Sequence, residues 1–109
     1  MVLEDQVEGE ILVVSLRDKR LDAVIAASFR EAMLERISQG QNKIVLDLTN
    51  VGFLDSSGLG AIVAILKQVG HEGCLHLCGV SPAVMAVLRL TRMDRVFKTF
   101  PTRAAALAA

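Results

Sequence analysis

The apolar positions of this chain change period along its length. Ile11-Leu12-Val13-Val14-Ser15-Leu16 and Lys43-Ile44-Val45-Leu46-Asp47-Leu48 are short apolar runs of strand length. A further strand over Leu3 to Glu8, turning at Glu8-Gly9, precedes the first of them. Between the two runs, Ile25, Phe29, Met33 and Ile37 recur every fourth residue and Ala32 widens the stripe. Arg30, Glu31, Glu35 and Arg36 lie off it, so the pattern predicts a helix from Val24 to Ser38, stopped by Gly40. Leu59, Ile62, Val63 and Leu66 predict a second helix that closes near Gly70. Cys74 to Cys78 reads as a strand, Ser81 to about Leu90 as a helix and Val96 to Phe100 as a short strand, with a terminal helix from Thr102. Pro82 and Pro101 fall where helices begin, as suits a residue whose φ is preset for a first turn.

Strands alternating with helices imply an α/β fold with right-handed crossovers and parallel pairing. Five strands are expected in one domain spanning residues 1–109. Ile44, Leu46 and Leu48 share one face of their strand, while Val45 and Asp47 share the other. Leu75 and Leu77 likewise lie opposite His76. A sheet covered on both faces is apolar on both, so the mixed second face predicts helices mainly on one side.

Composition narrows the function. The chain has 109 residues, with Lys+Arg 12 against Asp+Glu 12 and a pI near 6.7, which gives no broad basic footprint for nucleic acid. Trp and Tyr are absent and Phe numbers 4, so stacking platforms for single-stranded nucleic acid are not expected. No apolar run reaches the roughly 18 residues of a membrane span. The start Met1-Val2-Leu3-Glu4-Asp5 lacks the marks of a signal peptide, so a cytoplasmic location is the expectation. Cys74 and Cys78, spaced C-x-x-x-C, match no redox or zinc pattern and read as small buried hydrophobes. His71 and His76 come without a triad or metal partner. Arg89, Arg92, Arg95, Lys98 and Arg103 outnumber Asp94 near the end of the chain, which suits a solvated helix end or an acidic partner.

The junction Val51-Gly52-Phe53-Leu54-Asp55-Ser56-Ser57-Gly58-Leu59-Gly60 carries most of the information. Asp55, Ser56 and Ser57 are all suited to cap the helix that follows. Gly58 and Gly60 each cost about 1 kcal/mol relative to Ala inside a helix, which implies close approach of another backbone or a partner. A serine at a helix start is also a suitable phosphate acceptor, because free N–H groups and the helix dipole favour the anion. Phosphate would add about −1.5 to −2 charges beside Asp55, repelling a partner shaped for a neutral hydroxyl. Neither a P-loop nor a nucleophile elbow is present, since no Lys follows Gly60 until Lys67 and neither serine has the G-x-S-x-G flanks. The chain is therefore expected not to be an enzyme.

This segment, Leu54-Asp55-Ser56-Ser57-Gly58-Leu59-Gly60 after the strand Ile44 to Leu48, resembles the signature of STAS-domain anti-sigma factor antagonists. The resemblance extends over nearly the whole chain. Leu21-Asp22-Ala23 is similar to the element before the family's first helix, and Gly79-Val80-Ser81-Pro82-Ala83-Val84 to the opening of its third. It implies a small mixed sheet with helices mainly on one face. It also implies a partner-switching module that binds an anti-sigma factor when unphosphorylated. That partner would be a serine kinase with a histidine-kinase-like ATP site, and a metal-dependent serine phosphatase would reset the switch. ATP and metal would belong to those partners, with no cofactor of this chain's own. The serine after the Asp, Ser56, is then the acceptor, with Asp22, Asp55, Ser57, Gly58, Leu59 and Gly60 around it. The residues alone leave Ser57 open as the acceptor. The family often has Gly-Glu before the Leu-Asp element, where this chain reads Asp18-Lys19-Arg20; the two bases would alter kinase docking or offset the acceptor's charge. A constitutive STAS scaffold on a transporter or signalling complex is the alternative, with Ser56 a helix cap and nothing more.

Overall fold

A computed structural model of the chain describes residues 1–109. Its main sheet runs in the order β1-β2-β4-β6-β7, formed by Leu3–Glu8, Ile11–Leu16, Lys43–Asp47, Cys74–Cys78 and Lys98–Phe100. β1 and β2 form an antiparallel hairpin. Gly9, at φ 62°, supplies the left-handed turn position that glycine adopts without a Cβ penalty. The other three pairings are parallel, so the sheet is mixed. The helices α1 (Ala26–Ser38), α2 (Ser56–Val69) and α3 (Pro82–Leu90) provide the crossovers, and α4 (Arg103–Leu107) ends the fold.

Period-two alternation sorts the strands into two unequal cores. Leu12, Val14, Leu16, Ile44, Leu46, Leu75 and Leu77 face the three long helices and join a cluster of 22 buried residues with Phe29, Met33, Ile62, Ile65, Val84 and Leu88. The opposite face contributes Val13, Val45 and Cys78 to a cluster of 4, completed by Ala106 of α4. The larger core thus lies under the helical face, as the strand patterns predict. The smaller face is covered by one short helix, tied down by an ion pair. Arg103 donates to the Asp47 carboxylate at 2.9 and 3.2 Å. Burial pushes the Asp47 carboxyl up, but hydrogen bonds from the Thr49 hydroxyl and N–H and from Arg103 outweigh it and hold the group below its usual value.

Several boundaries differ from those the sequence pattern predicts. α1 starts at Ala26 rather than Val24, because Asp22 folds residues 22–26 into a turn. Its Oδ1 accepts from the Val24 N–H at 3.1 Å and its carbonyl from the Ala26 N–H at 2.8 Å. Val96 lies outside the last strand. A 3-10 turn over Met93–Arg95 occupies that stretch, entered through Arg92 at φ 60°, and pairing with β6 reaches only His76 to Cys78. Pro101 precedes the α4 cap Thr102 rather than sitting in the first turn. Cys74 is half-buried rather than buried, while the Cys78 thiol is pushed up to about 11, first by burial and then by the Asp47 charge. A second, two-stranded sheet was not predicted at all. β3 (Arg20–Leu21) pairs in parallel with β5 (Phe53–Leu54), and this pair carries the site.

Candidate functional site

β5 delivers the chain to Asp55, where α2 begins. Asp55 is in extended backbone, and its Oδ1 accepts from the Gly58 N–H at 2.8 Å. It is the helix cap, in the role that Asp, Ser and Asn share through a short side-chain oxygen. Its second oxygen, Oδ2, accepts from the Ala23 N–H at 3.0 Å. One carboxylate therefore joins the head of α2 to the loop between β3 and α1. Ser56 and Ser57 form the first two helical positions, and both are exposed. Neither hydroxyl caps the helix, so of the three residues suited to the cap, Asp55, Ser56 and Ser57, the structure selects Asp55.

The two glycines have different causes. A Cβ on Gly58 would lie 2.2 Å from the Leu21 carbonyl oxygen and 2.8 Å from a Leu54 methyl. Only glycine lets α2 start directly against β3. A Cβ on Gly60 would meet nothing within 4 Å, so that position faces open space. The close approach inferred for both holds for Gly58, with a backbone as the neighbour.

Asp22 immediately precedes Ala23, whose N–H binds Asp55, in the loop beside the serine turn. The Arg20 guanidinium at 3.1 Å holds its carboxyl below the usual range, against a smaller burial effect and with help from the Val24 N–H. Arg20 also stacks 4.0 Å over the Phe53 ring. The departure at Lys19-Arg20 therefore resolves unequally. Arg20 is committed to Phe53 and Asp22, whereas Lys19 is exposed on its strand's approach.

Beside Ser56 lies an open groove of about 360 Å³ between α2 and α3. Leu54, Leu59, Val63, Val87 and Met93 line it, and Ser56 stands at its edge together with Asp55. Val63 belonged to the α2 apolar stripe and was legible only as a core residue. Val87 and Met93 come from elements whose proximity the sequence does not reveal. Leu59 is both the edge of the main core and part of this groove. His76 lies away from these residues, packed at a tilt of 44° against Phe100 at 5.4 Å on the α4 side of the sheet. Burial, then Lys98, pushes its pKa down. No three His, Cys, Asp or Glu side chains are gathered as a metal cage would need. The arrangement offers hydroxyls for modification and an apolar surface for contact.

The chain is similar to known proteins in sequence and fold. An anti-sigma F factor antagonist of Paenibacillus polymyxa is 38% identical over 93 residues, spanning 84% of this chain and 76% of its own. A crystal structure of an anti-sigma factor antagonist from Mycobacterium paratuberculosis superposes with a TM-score of 0.89 at 27% identity, covering 98% of this chain and 91% of that one. The Bacillus protein SpoIIAA in its phosphorylated form has the same fold, with a TM-score of 0.74 at 22% identity over 98% of this chain and 97% of that one. The family model for the STAS domain matches residues 3–106, which takes in both sheets and the Asp55 turn, and the chain belongs to the STAS domain family.

Proposed function

We propose that this protein is an anti-sigma factor antagonist that works by partner switching, with Ser56 as the phosphate acceptor. One observation carries the reading: Asp55 performs the capping, so the neighbouring hydroxyls have no structural duty and stand exposed at a groove edge. The scaffold reading gives Ser56 the cap as its role, and Asp55 in that role supports the switch instead. Among the two serines, Ser56 alone borders the apolar groove. The anti-sigma factor, a serine kinase in this reading, docks on that groove and on the turn made by Asp22, Asp55, Ser56, Ser57, Gly58, Leu59 and Gly60. A phosphate on Ser56 adds about −1.5 to −2 charges at the rim. The partner surface made for a hydroxyl and methyl groups then meets an anion whose water it cannot replace, and the complex dissociates. A metal-dependent serine phosphatase restores the binding form.

The test is incubation with ATP and each histidine-kinase-like anti-sigma factor of the same genome, followed by intact-mass measurement and peptide mapping. One phosphate on Ser56, with loss of the complex, is the expected result. Ser56→Ala should bind and stay unmodified, and Ser56→Asp should bind weakly. Equal affinity of Ser56→Asp and the unmodified protein would refute release by charge.

A further inference from the structure

Across the first turn of α2 lies a second cleft, distinct from the apolar groove. Ala26, Ala27 and Arg30 of α1 form one wall, and Ser56, Ser57 and Gly60 of α2 form the other. The wall residues are small, so the cleft stays open and the only long side chain in it is Arg30. Arg30 is exposed and takes part in none of the six salt bridges of the protein. Its helical neighbours at three and four residues are Ala26, Ala27, Met33 and Leu34, none of them acidic. This contrasts with Arg36 on the same helix, which is paired with Asp5 at 2.8 Å. The other charges nearby are Glu31, next along α1, and Asp22 and Asp55. The Asp55 oxygens are occupied by the Gly58 and Ala23 N–H groups, and Asp22 is occupied by Arg20. A free guanidinium thus shares a cleft with two free hydroxyls.

Building on the partner-switching reading, we propose that Arg30 is the internal receptor for the phosphate on Ser56. The guanidinium is planar and presents paired N–H donors that match two phosphoryl oxygens. Unphosphorylated, Arg30 is an uncommitted cation on the docking face, open to an acidic group of the partner. Phosphorylated, it closes across the cleft onto the phosphate. The modification then acts twice, by placing an anion on the face and by withdrawing a cation from it. Arg30 is in this sense a positioning residue for the switch.

The experiment installs phosphoserine at position 56 by genetic-code expansion, so that it depends on no kinase, and follows the phosphate by 31P NMR from pH 4.5 to 8. Free phosphoserine has its second pKa near 6, and a cation within reach favours the dianion. The midpoint should rise by about half a pH unit or more in Arg30→Ala. Arg30→Lys should lie between, because it keeps the charge and loses the paired donors. Lys67→Ala, a change of the same charge at the far end of α2 from Ser56, should leave the midpoint in place. The Arg30 difference should shrink in 0.5 M salt, where screening shortens to a few Å. Coincident midpoints for Arg30 and Arg30→Ala would overturn the proposal, as would equal shifts in Arg30→Ala and Lys67→Ala. A larger Arg30 dependence for phosphoserine at 57 would overturn the choice of Ser56. Failure of the partner-switching reading would show separately, as an unchanged affinity for the anti-sigma factor whatever the NMR reports.

Discussion

Substitution of Asp55 separates the residue that builds the turn from the residue that is modified. In Asp55→Ala two backbone donors lose their acceptor, the Gly58 N–H at 2.8 Å and the Ala23 N–H at 3.0 Å. Loss of a helix cap costs about 1 kcal/mol, and loss of the second bond about 1 kcal/mol more. The sum, about 2 kcal/mol, corresponds to a fall in Tm of roughly 8 °C for a domain of this size. Asp55→Asn should lose about half as much, because one amide oxygen can serve only one of the two donors well and the NH2 group opposes the other. Ser56→Ala should stay within about 0.5 kcal/mol, as expected for an exposed position without a structural partner. Urea and thermal unfolding followed by circular dichroism measures all three. If Ser56→Ala is as destabilising as Asp55→Ala, the serine is part of the cap and does not stand free for modification.

Other outcomes follow from the same geometry. Gly58→Ala should destabilise the protein by at least 1–3 kcal/mol through overpacking against the Leu21 backbone, whereas Gly60→Ala should be neutral or stabilise by up to about 1 kcal/mol; similar Tm values for the two would contradict the close approach at Gly58. Val63→Lys, at a half-buried groove position packed against the main core, should weaken anti-sigma factor binding at least tenfold and cost about 1 kcal/mol of stability, leaving the protein folded. The Asp47 carboxyl has its folded pKa lowered, so its stabilising pair with Arg103 is fully present above the unfolded value near 4 and is lost as pH falls through the folded value. Between pH 4 and 2 the unaltered protein should therefore lose stability that Asp47→Asn, already without the pair's charge, does not lose over the same interval; parallel pH profiles would remove Asp47 from the account.

Hydrophobic patterning was enough to place the buried elements. The helices α1 to α3 each bury one face, and burial of a face imposes its period on the sequence; β2, β4 and β6 are buried along most of their length and read as apolar runs, whereas β1 is exposed from Glu4 to Glu8 and is marked by its turn. The same logic placed the main core on the side of Ile44, Leu46, Leu75 and Leu77. The motif Asp55-Ser56-Ser57-Gly58-Leu59-Gly60 was also legible, because capping residues followed by a helical stripe mark a helix start and because the segment resembles a known family. Which side chain caps the helix was a tertiary decision. Asp, Ser and Ser all have the right chemistry, and the Ala23 N–H, 32 residues away, selects the carboxylate that can accept from both sides. The β3–β5 pair could not be read, since two-residue strands have no period and exist only through their long-range register. Gly58 and Gly60 look alike along the chain and differ only in what stands opposite each. The groove and the cleft follow the same rule: Val87 and Met93, or Arg30 and Ser56, are brought together by helix packing, and no local pattern encodes the distance between two helices.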